Sequence, residues 1–553
     1  MAGFLSGPGF QKMRADLRQD ADEIWVIDCS PEGHQPEVAT RVFQGVQQPV
    51  CIVMALRSTD GGSPTPARVR YRSLPRGHRD KKFEALSTIK LDDDGWEECP
   101  ADPRAPFFPR SAGAWAEFAA LENLFDYDGS GVMPGRIWVI APDRSSLERR
   151  WKALQEEENL EKKENLFHPH RRNGSPGDKH INKRLQQGLY GHEFRCGPVA
   201  SDDTRDVIPP VRYGYRSFDR QWIIPDGRLI NQPNPKLWQI HSNHQIYMTA
   251  LHRDSPTSGP ALTFSSAIPD LDHYKGRGGR VFPLWADRHG QKSNIKTSLL
   301  QQVAKALEIS VDAPDMMAYF AAIAAHPGYT HRFQSNLVQP GLRFPLAGDA
   351  SLFAEAVRIG QEIVWLHCFG ERFFDHNAGR PHALPRMSQD KRPMIPKDGA
   401  VPTQANRFPD RITYDGASRR LSIGDGFIDN VPPSVWKYEI SGKQVLVQWF
   451  SYRRLDRSRP IIGDRRPLSP LANIQPHGWL AEYTTELMNV LNVLGRLVAL
   501  ELRQNDLLNR ICDAPILNAD VLRANGAFDA SSKVNSIDTD AQQRSFIPQD
   551  DIS

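Results

Sequence analysis

The chain has 553 residues, enough for about three separate cores on domain-size priors, and its 39% apolar and 24% charged residues are those of an ordinary folded protein, not a fibrous or disordered one. With 69 basic against 66 acidic side chains the formal charge is +3, so the chain as a whole is not a polybasic nucleic-acid binder and any footprint on a polyanion has to be local. The six cysteines are never spaced C-x-x-C, the N-terminus MAGFLSGPGFQKMR lacks a secretory pattern, and the longest apolar run, around Val50 to Leu56, is far short of the roughly twenty residues that cross a bilayer, which predicts a cytoplasmic chain with reduced thiols and no membrane partner.

In chain order, residues 10–18 (FQKMRADLR) carry a short helical pattern, and Glu23 to Cys29 (EIWVIDC) reads as a buried strand. Pro49 to Arg57 and Ala67 to Leu74 read as two more strands, joined by the turn-rich STDGGSPTP. A helix, a strand and then a strand pair make the closing part of an α/β sheet, because a complete doubly wound domain opens with a strand and a glycine-rich turn. Gly135 to Asp143 (GRIWVIAPD) reads as a strand, and Ser145 to Leu166 as one helix with Ser145 as its cap and Glu148 three residues on. His168 to His180 is a polar, turn-rich loop.

From about Asp206 to Asp520 short strands alternate with amphipathic helices. Lys296 to Leu307, Pro314 to Pro327 and Ser351 to Phe369 have apolar residues at helical spacing, whereas Val435 to Tyr452 (VWKYEISGKQVLVQWFSY) returns to a β pattern. Trp479 to Ile511 is the most strongly helical stretch, and Leu487, Val490, Leu491, Leu494, Leu497 and Val498 share one face, which predicts a packing helix, not a groove reader. From about Gly526 the chain is polar and weakly acidic, the composition of a disordered tail. The fold class predicted is mixed α/β, with a partial sheet over 1–111, a connector over 112–205, a mixed α/β module over 206–525 and a tail over 526–553.

Three basic segments stand out. Between Tyr213 and Trp222 the chain reads YGYRSFDRQW, in which Arg216 and Arg220, preceded by Arg212, alternate with Tyr213, Tyr215, Phe218 and Trp222. Guanidinium groups among aromatic faces suit a polyanion whose bases or sugars are also touched; a half-buried strand with its aromatics inward and its arginines outward fits the same pattern. His273 to Arg280 (HYKGRGGR) joins Lys275, Arg277 and Arg280 to three glycines that allow a phosphate close to the backbone; a plain turn between strands fits the same residues. Tyr452 to Pro467 (YRRLDRSRPIIGDRRP) holds six arginines, among them Arg453, Arg454, Arg457, Arg465 and Arg466, against Asp456 and Asp464, on a stretch that proline and glycine keep irregular. If the three converge on one face, that face is the binding cleft.

Other motifs fail on their chemistry. DYDGSG (Asp126 to Gly131) imitates the start of a calcium loop but has Ile137 where a bidentate glutamate belongs. HCFGERFFDH (His367 to His376) has irregular ligand spacing for zinc, and Ser6 to Gly9 lacks the strand and the spacing of a phosphate loop. Asp270, Asp272 and Lys275 only loosely imitate a nuclease. No nucleophile elbow, H-E-x-x-H or P-loop lysine is present, so no catalytic and no metal-binding residue is assigned.

YGYRSFDRQW, with AIPDLDHYKG (Ala267 to Gly276), VFPLW (Val281 to Trp285), WLHCFGERF (Trp365 to Phe373) and YTTELMNVLNVLGRLV (Tyr483 to Val498), resembles the C-terminal target-recognition region of type ISP restriction-modification enzymes. Residues 1–111 are similar to the end of a class-gamma adenine methyltransferase domain. FLSGPGFQKMRADL resembles the helix after its catalytic loop, and Thr40 to Arg57 its late strand region, in which Phe43 to Val46 borders the target-base pocket. Two motifs of that family are missing, the glycine-containing cofactor turn and the Asn-Pro-Pro-aromatic loop; the paired prolines after Ile208 and Val431 have no preceding asparagine.

The resemblance implies the sequence-recognising portion of an adenine-specific DNA methyltransferase of a restriction-modification or phage-defence system. In the intact enzyme S-adenosyl-L-methionine would methylate an adenine flipped from the duplex; this chain alone is expected to bind no cofactor and to transfer no methyl group. Its partners would be double-stranded DNA and a chain or upstream segment carrying the catalytic half. The alternative is a non-enzymatic specificity subunit that recruits a nuclease or helicase.

Overall fold

The computed structural model describes residues 2–5, 10–31, 42–43, 46, 49–58, 65–75, 77–109, 114–168, 171–172, 175–176, 180–193, 195–202, 208–251, 254–275, 279–334, 336–338, 341–455 and 468–529. It divides into two compact units, residues 1–118 with 333–340, and residues 119–332 with 341–553. The predicted tail lies almost wholly outside the described residues.

In the first unit helix α1 (Gln11–Asp20) leads into β1 (Glu23–Asp28), whose residues are buried almost throughout. Strand β1 is central, antiparallel to β2 (Cys51–Leu56) and parallel to β3 (Arg68–Ser73). The second and third predicted strands are therefore not a hairpin, since each flanks β1. Helix α2 (Arg79–Thr88) follows, and the two-residue β4 (Glu97–Glu98) completes the order β2-β1-β3-β4. Ile24, Val26, Val69, Tyr71 and Phe107 form the core.

Two arginines of α1 are fully buried, and main-chain carbonyls take up most of their donors. Arg14 donates to Ala105 and Phe4, and Arg18 to Pro103, Ala105 and Pro100, with its guanidinium 4.5 Å from the Phe107 ring. The loop around residues 100–106 is thus moored by charge-assisted hydrogen bonds to its carbonyls. The short α3 (Ala114–Glu117) places Trp115 against Phe333.

The second unit has several small sheets around packed helices. Strand β5 (Ala119–Ala120) comes first; where one strand over 135–143 was predicted, a 3-10 turn at Ile137–Val139 precedes the two-residue β6 (Ile140–Ala141). The predicted helix over 145–166 is two, α4 (Arg144–Glu156) and α5 (Leu160–Phe167). Asp143, not Ser145, is the cap of α4; it accepts from the Ser146 amide at 2.7 Å, and Asn159 caps α5 in the same way. The pair β7 (Arg171–Arg172) and β8 (Ser175–Pro176) follows.

Strands β9 (Val211–Arg216) and β10 (Asp219–Ile223) form a hairpin that β6 joins. After α6 (Pro235–Ile240), β11 (Tyr247–Leu251) pairs with both β12 (Leu262–Ser265) and β13 (Gly279–Pro283). Helix α7 (Thr297–Leu307) is amphipathic, with Leu299, Leu300, Val303 and Leu307 inward. Helix α8 (Ala313–Ala324) is instead buried on nearly every side, so it is the central helix of the unit. Helix α9 (Pro327–Arg332) and β14 (Arg343–Phe344), which pairs with β5, lead to α10 (Ala350–His367). Gly360 lets α10 approach the Ala318 backbone of α8 so closely that a Cβ there would overlap the Ala318 carbonyl.

A three-stranded meander follows, β15 (Ile412–Asp415), β16 (Arg420–Ile423) and β17 (Gly426–Ile428), then α11 (Pro433–Trp436) and the pair β18 (Glu439–Ile440) and β19 (Lys443–Gln444). The predicted β pattern over 435–452 holds only for that pair. Val445–Ser451 is helix α12, because Val445, Leu446, Trp449 and Phe450 are spaced for one buried helical face. Helix α13 (Ala481–Asp513) is long and core-packed as expected, and α14 (Ala519–Ala524) follows. Within the predicted connector over 112–205, Trp138, Trp151, Leu154 and Phe167 share one core with Ile208, Ile224, Leu229 and Leu471.

Candidate nucleic-acid interface

The β9–β10 hairpin turns at Ser217 and Phe218, and Phe218 takes a left-handed φ of 64° that a bulky side chain holds only when packing fixes it. Its ring sits 4.8 Å from the His367 ring and 5.8 Å from that of Tyr438. Along β10, Asp219, Gln221 and Ile223 are buried while Arg220 and Trp222 are half-buried on the opposite face. Arginine and aromatic therefore share a face, a departure from the expected aromatics-in, arginines-out pattern.

Each hairpin arginine is engaged twice, by a ring and by a carboxylate. Arg212 lies across the ladder from Trp222, with its guanidinium 4.3 Å from that ring, and donates to Glu486 at 3.1 Å. Arg220 lies 3.9 Å from the Phe369 ring and pairs with Glu486 at 3.0 Å and Glu371 at 3.1 Å. Arg216 lies 4.0 Å from the Tyr215 ring and donates to Asp270 at 2.7 Å. Burial pushes the Glu486 carboxyl up, but Arg220 and Arg212 more than reverse this and hold it below the usual carboxylate range.

The other basic segments meet the same hairpin. Asp270, from the second segment's flank, also accepts from the Tyr213 hydroxyl at 2.7 Å, and the Ser217 hydroxyl donates to the carbonyls of His273 and Tyr274. Lys275 reaches the Ser441 hydroxyl at 3.4 Å, and Arg280 pairs with Asp128. From the third segment Tyr452 packs edge-on to Tyr215 at 4.8 Å. Arg453, whose side chain is 1% exposed, pairs with Asp219 at 2.7 Å, donates to the Trp449 carbonyl and lies 3.8 Å from the Trp449 ring. Arg454 beside it is half-buried. Arg277, Arg457, Arg465 and Arg466 lie outside the described residues.

The fold thus brings the described parts of all three segments to one hairpin, with Arg212, Arg216, Arg220, Arg280 and Arg453 in internal ion pairs. Such guanidinium groups make a rigid frame, and the buried Arg453 presents no face to a phosphate. All four carboxylates that meet the hairpin and Arg453 stand inside or beside motifs quoted from the sequence, but none was read there as an arginine partner. No local spacing rule connects Glu371 and Glu486 to the hairpin.

A family model described as the Type ISP C-terminal specificity domain matches residues 123–490, which contain the hairpin and every basic segment. The chain belongs to that family. Among solved structures, the chain is similar to one titled "cryoEM structure DrdV-DNA complex", with TM-score 0.51 and 16% identity over 96% of this chain and 50% of that one. It is also similar to the "ATP-dependent Type ISP restriction-modification enzyme LlaBIII bound to DNA", with TM-score 0.56 and 14% identity over 93% of this chain and 32% of that one. A third is a nuclease-deletion mutant of the Type ISP restriction-modification enzyme LlaGI in complex with a DNA substrate mimic, with TM-score 0.52 and 14% identity over 92% of this chain and 38% of that one. At these identities the likeness is one of fold, and the chain spans half or less of the length of those proteins. No curated protein matches the sequence. Among the described residues no helix is long and apolar enough to cross a membrane.

Proposed function

We propose that this Type ISP specificity domain binds double-stranded DNA and selects the adenine that a methyltransferase of a restriction-modification or phage-defence system modifies. The observation that carries the reading is the family match over residues 123–490. The similar structures, each described as bound to DNA or to a DNA mimic, support it. Under this reading Lys275, Arg277, Arg454, Arg457, Arg465 and Arg466 contact phosphates, while the paired Arg212, Arg216, Arg220 and Arg280 hold the binding surface in shape.

S-adenosyl-L-methionine does not fit the residues present. The chain after β1 reads CSPEGHQ, with no G-x-G turn, and β1 ends with Asp28 accepting from the Tyr71 hydroxyl and the Ser30 amide, so its carboxylate is already taken up. No Asn-Pro-Pro-aromatic sequence occurs among the 553 residues. The methyl donor would be held by a separate catalytic half.

The test is to incubate the purified chain with duplex DNA, with and without labelled S-adenosylmethionine. Retention of DNA at low salt without label incorporation is expected. Incorporation by this chain alone, or no retention of DNA, would overturn the proposal.

A further inference from the structure

Between α10 and β15 the chain runs for about forty residues with only one 3-10 turn, at Ala405–Arg407, yet its path is fixed at many points. The Trp365 indole donates to the Pro381 carbonyl at 3.0 Å. Arg386 donates to the Asn489 side chain at 2.7 Å, and the Met387 amide to the Asn492 side chain at 2.9 Å. Met394 and Asp429 exchange two main-chain hydrogen bonds, and Asn430 donates to the carbonyls of Asp390 and Arg392. Pro385, Met387, Pro393 and Gly399 are buried as anchors.

Helix α13 is built to hold this strap. Asn489 and Asn492 are buried in mid-helix, where asparagine is a poor helix former and an unpaired amide is costly, and the strap supplies their partners. Gly495, one turn on, leaves room for the Met387 sulfur, which a Cβ at that position would strike.

The strap's outward cations meet neutral partners inside the fold, Arg386 the Asn489 side chain and Arg392 the Met387 carbonyl at 3.1 Å. Met394 is 59% exposed, and Leu384 and Ile395 are exposed beside it. Arg386, Lys391, Arg392 and Lys397 are exposed as well, and among the described residues they form no ion pair, unlike the hairpin arginines. Partial burial, and after it repulsion from the neighbouring Arg392 guanidinium, lowers the Arg386 pKa. A polyanion relieves that repulsion. Methyl-bearing side chains between the cations suit a groove edge that carries thymine methyl groups as well as phosphates.

We propose that the strap over residues 384–397 is a duplex-DNA contact surface of this chain, with Lys391, Arg392 and Lys397 on phosphates and Met394 and Ile395 against base edges. This rests on the DNA-binding reading above and names a surface that none of the basic segments singled out in the sequence contains. The three cations neutralise up to three phosphates, so a Lys391→Gln/Arg392→Gln/Lys397→Gln chain should bind a duplex about tenfold or more weakly near 0.1 M salt. Its log-affinity against log-salt slope should be shallower by about 2 to 3. Fluorescence anisotropy of a labelled duplex titrated with the full chain and with the variant over a range of NaCl concentrations reads both quantities. If the parent chain binds and the variant keeps its affinity and slope, this surface is overturned while the DNA-binding reading stands. If the parent chain itself does not bind, both fall. Should the variant fail to fold, lysine acetylation of the unaltered chain decides: protection of Lys391 and Lys397 by duplex DNA supports the contact. Equal modification with and without bound DNA, or protection only in a self-associated or protein-bound form, overturns it.

Discussion

Glu486 of α13 accepts from Arg212 at 3.1 Å and from Arg220 at 3.0 Å, so one carboxylate ties together both strands of the hairpin, at positions on β9 and β10 far from it in sequence. Its side chain is 16% exposed and Arg220's is 14%, whereas Arg212's is 38%, so the Arg220 contact is the stronger and the Arg212 one is weakened by solvent. Glu486→Gln should lower stability by about 1–3 kcal/mol in urea unfolding. The carboxyl lies below its ordinary pKa in the fold, so its contribution is complete above the unfolded value and is lost as pH falls through the folded one. The gap between parent and variant should accordingly narrow in acid; a gap that is constant down to strongly acidic pH contradicts the ion-pair account.

Arg453 and Asp219 are sealed together, with side chains 1% and 2% exposed. Removing one partner leaves a buried charge alone, which typically costs about 3–5 kcal/mol. Arg453→Gln should therefore reduce the melting temperature sharply and leave the salt slope of DNA binding at the parental value under conditions where the variant is folded. A normal melting temperature with a shallower slope would move Arg453 from the core to the interface.

Glu501 on α13 is a half-buried acid, and burial pushes its pKa up to about 7. A carboxyl whose folded value is raised binds its proton more readily in the native state, so stability falls as pH rises from near the unfolded value to about 7. Glu501→Gln should stabilise the chain by about 1 kcal/mol or more at pH 8 and by much less at pH 5. Calorimetric scans of both proteins at the two pH values check this, and an equal shift at both would refute it.

Gly360 marks the closest approach of α10 to α8, where the added methyl of Gly360→Ala meets main chain, not a side chain that can swing away. Overpacking a contact of this kind costs about 1–3 kcal/mol or more despite alanine's better helix propensity. A lower urea midpoint with an unchanged m-value is expected; a more stable variant would show that the helices can part at little cost.

The long periodic stretches were legible from sequence because one face of each carries the burial. Lys296 to Leu307, Ser351 to Phe369 and Trp479 to Ile511 all became helices close to their predicted bounds, and the three strands of the first unit are within two residues of theirs. Val445–Ser451 was misread because valine, tryptophan and phenylalanine favour strands locally, while the pocket they fill has helical spacing. Ser145 lost the cap to Asp143, whose carboxylate serves both the Ser146 amide and the Tyr483 hydroxyl. The basic segments were visible as composition, but Arg212, Arg216, Arg220, Arg280 and Arg453 are met by Asp128, Asp219, Asp270, Glu371 and Glu486, and pairings over such separations are set by the tertiary fold alone.

The same long-range pairings govern how this chain is made. Arg150 donates to the Ile474 carbonyl, 324 positions on, and Asp143 receives the Tyr483 hydroxyl, 340 positions on. During synthesis, α4 and the tryptophans at 138 and 151 must therefore wait, with apolar surface showing, until the ribosome has delivered the segment that covers them. At ordinary elongation rates of about 5–20 residues per second that delay is on the order of tens of seconds, a window in which a nascent chain of this topology depends on holding factors or on low local concentration to stay unaggregated.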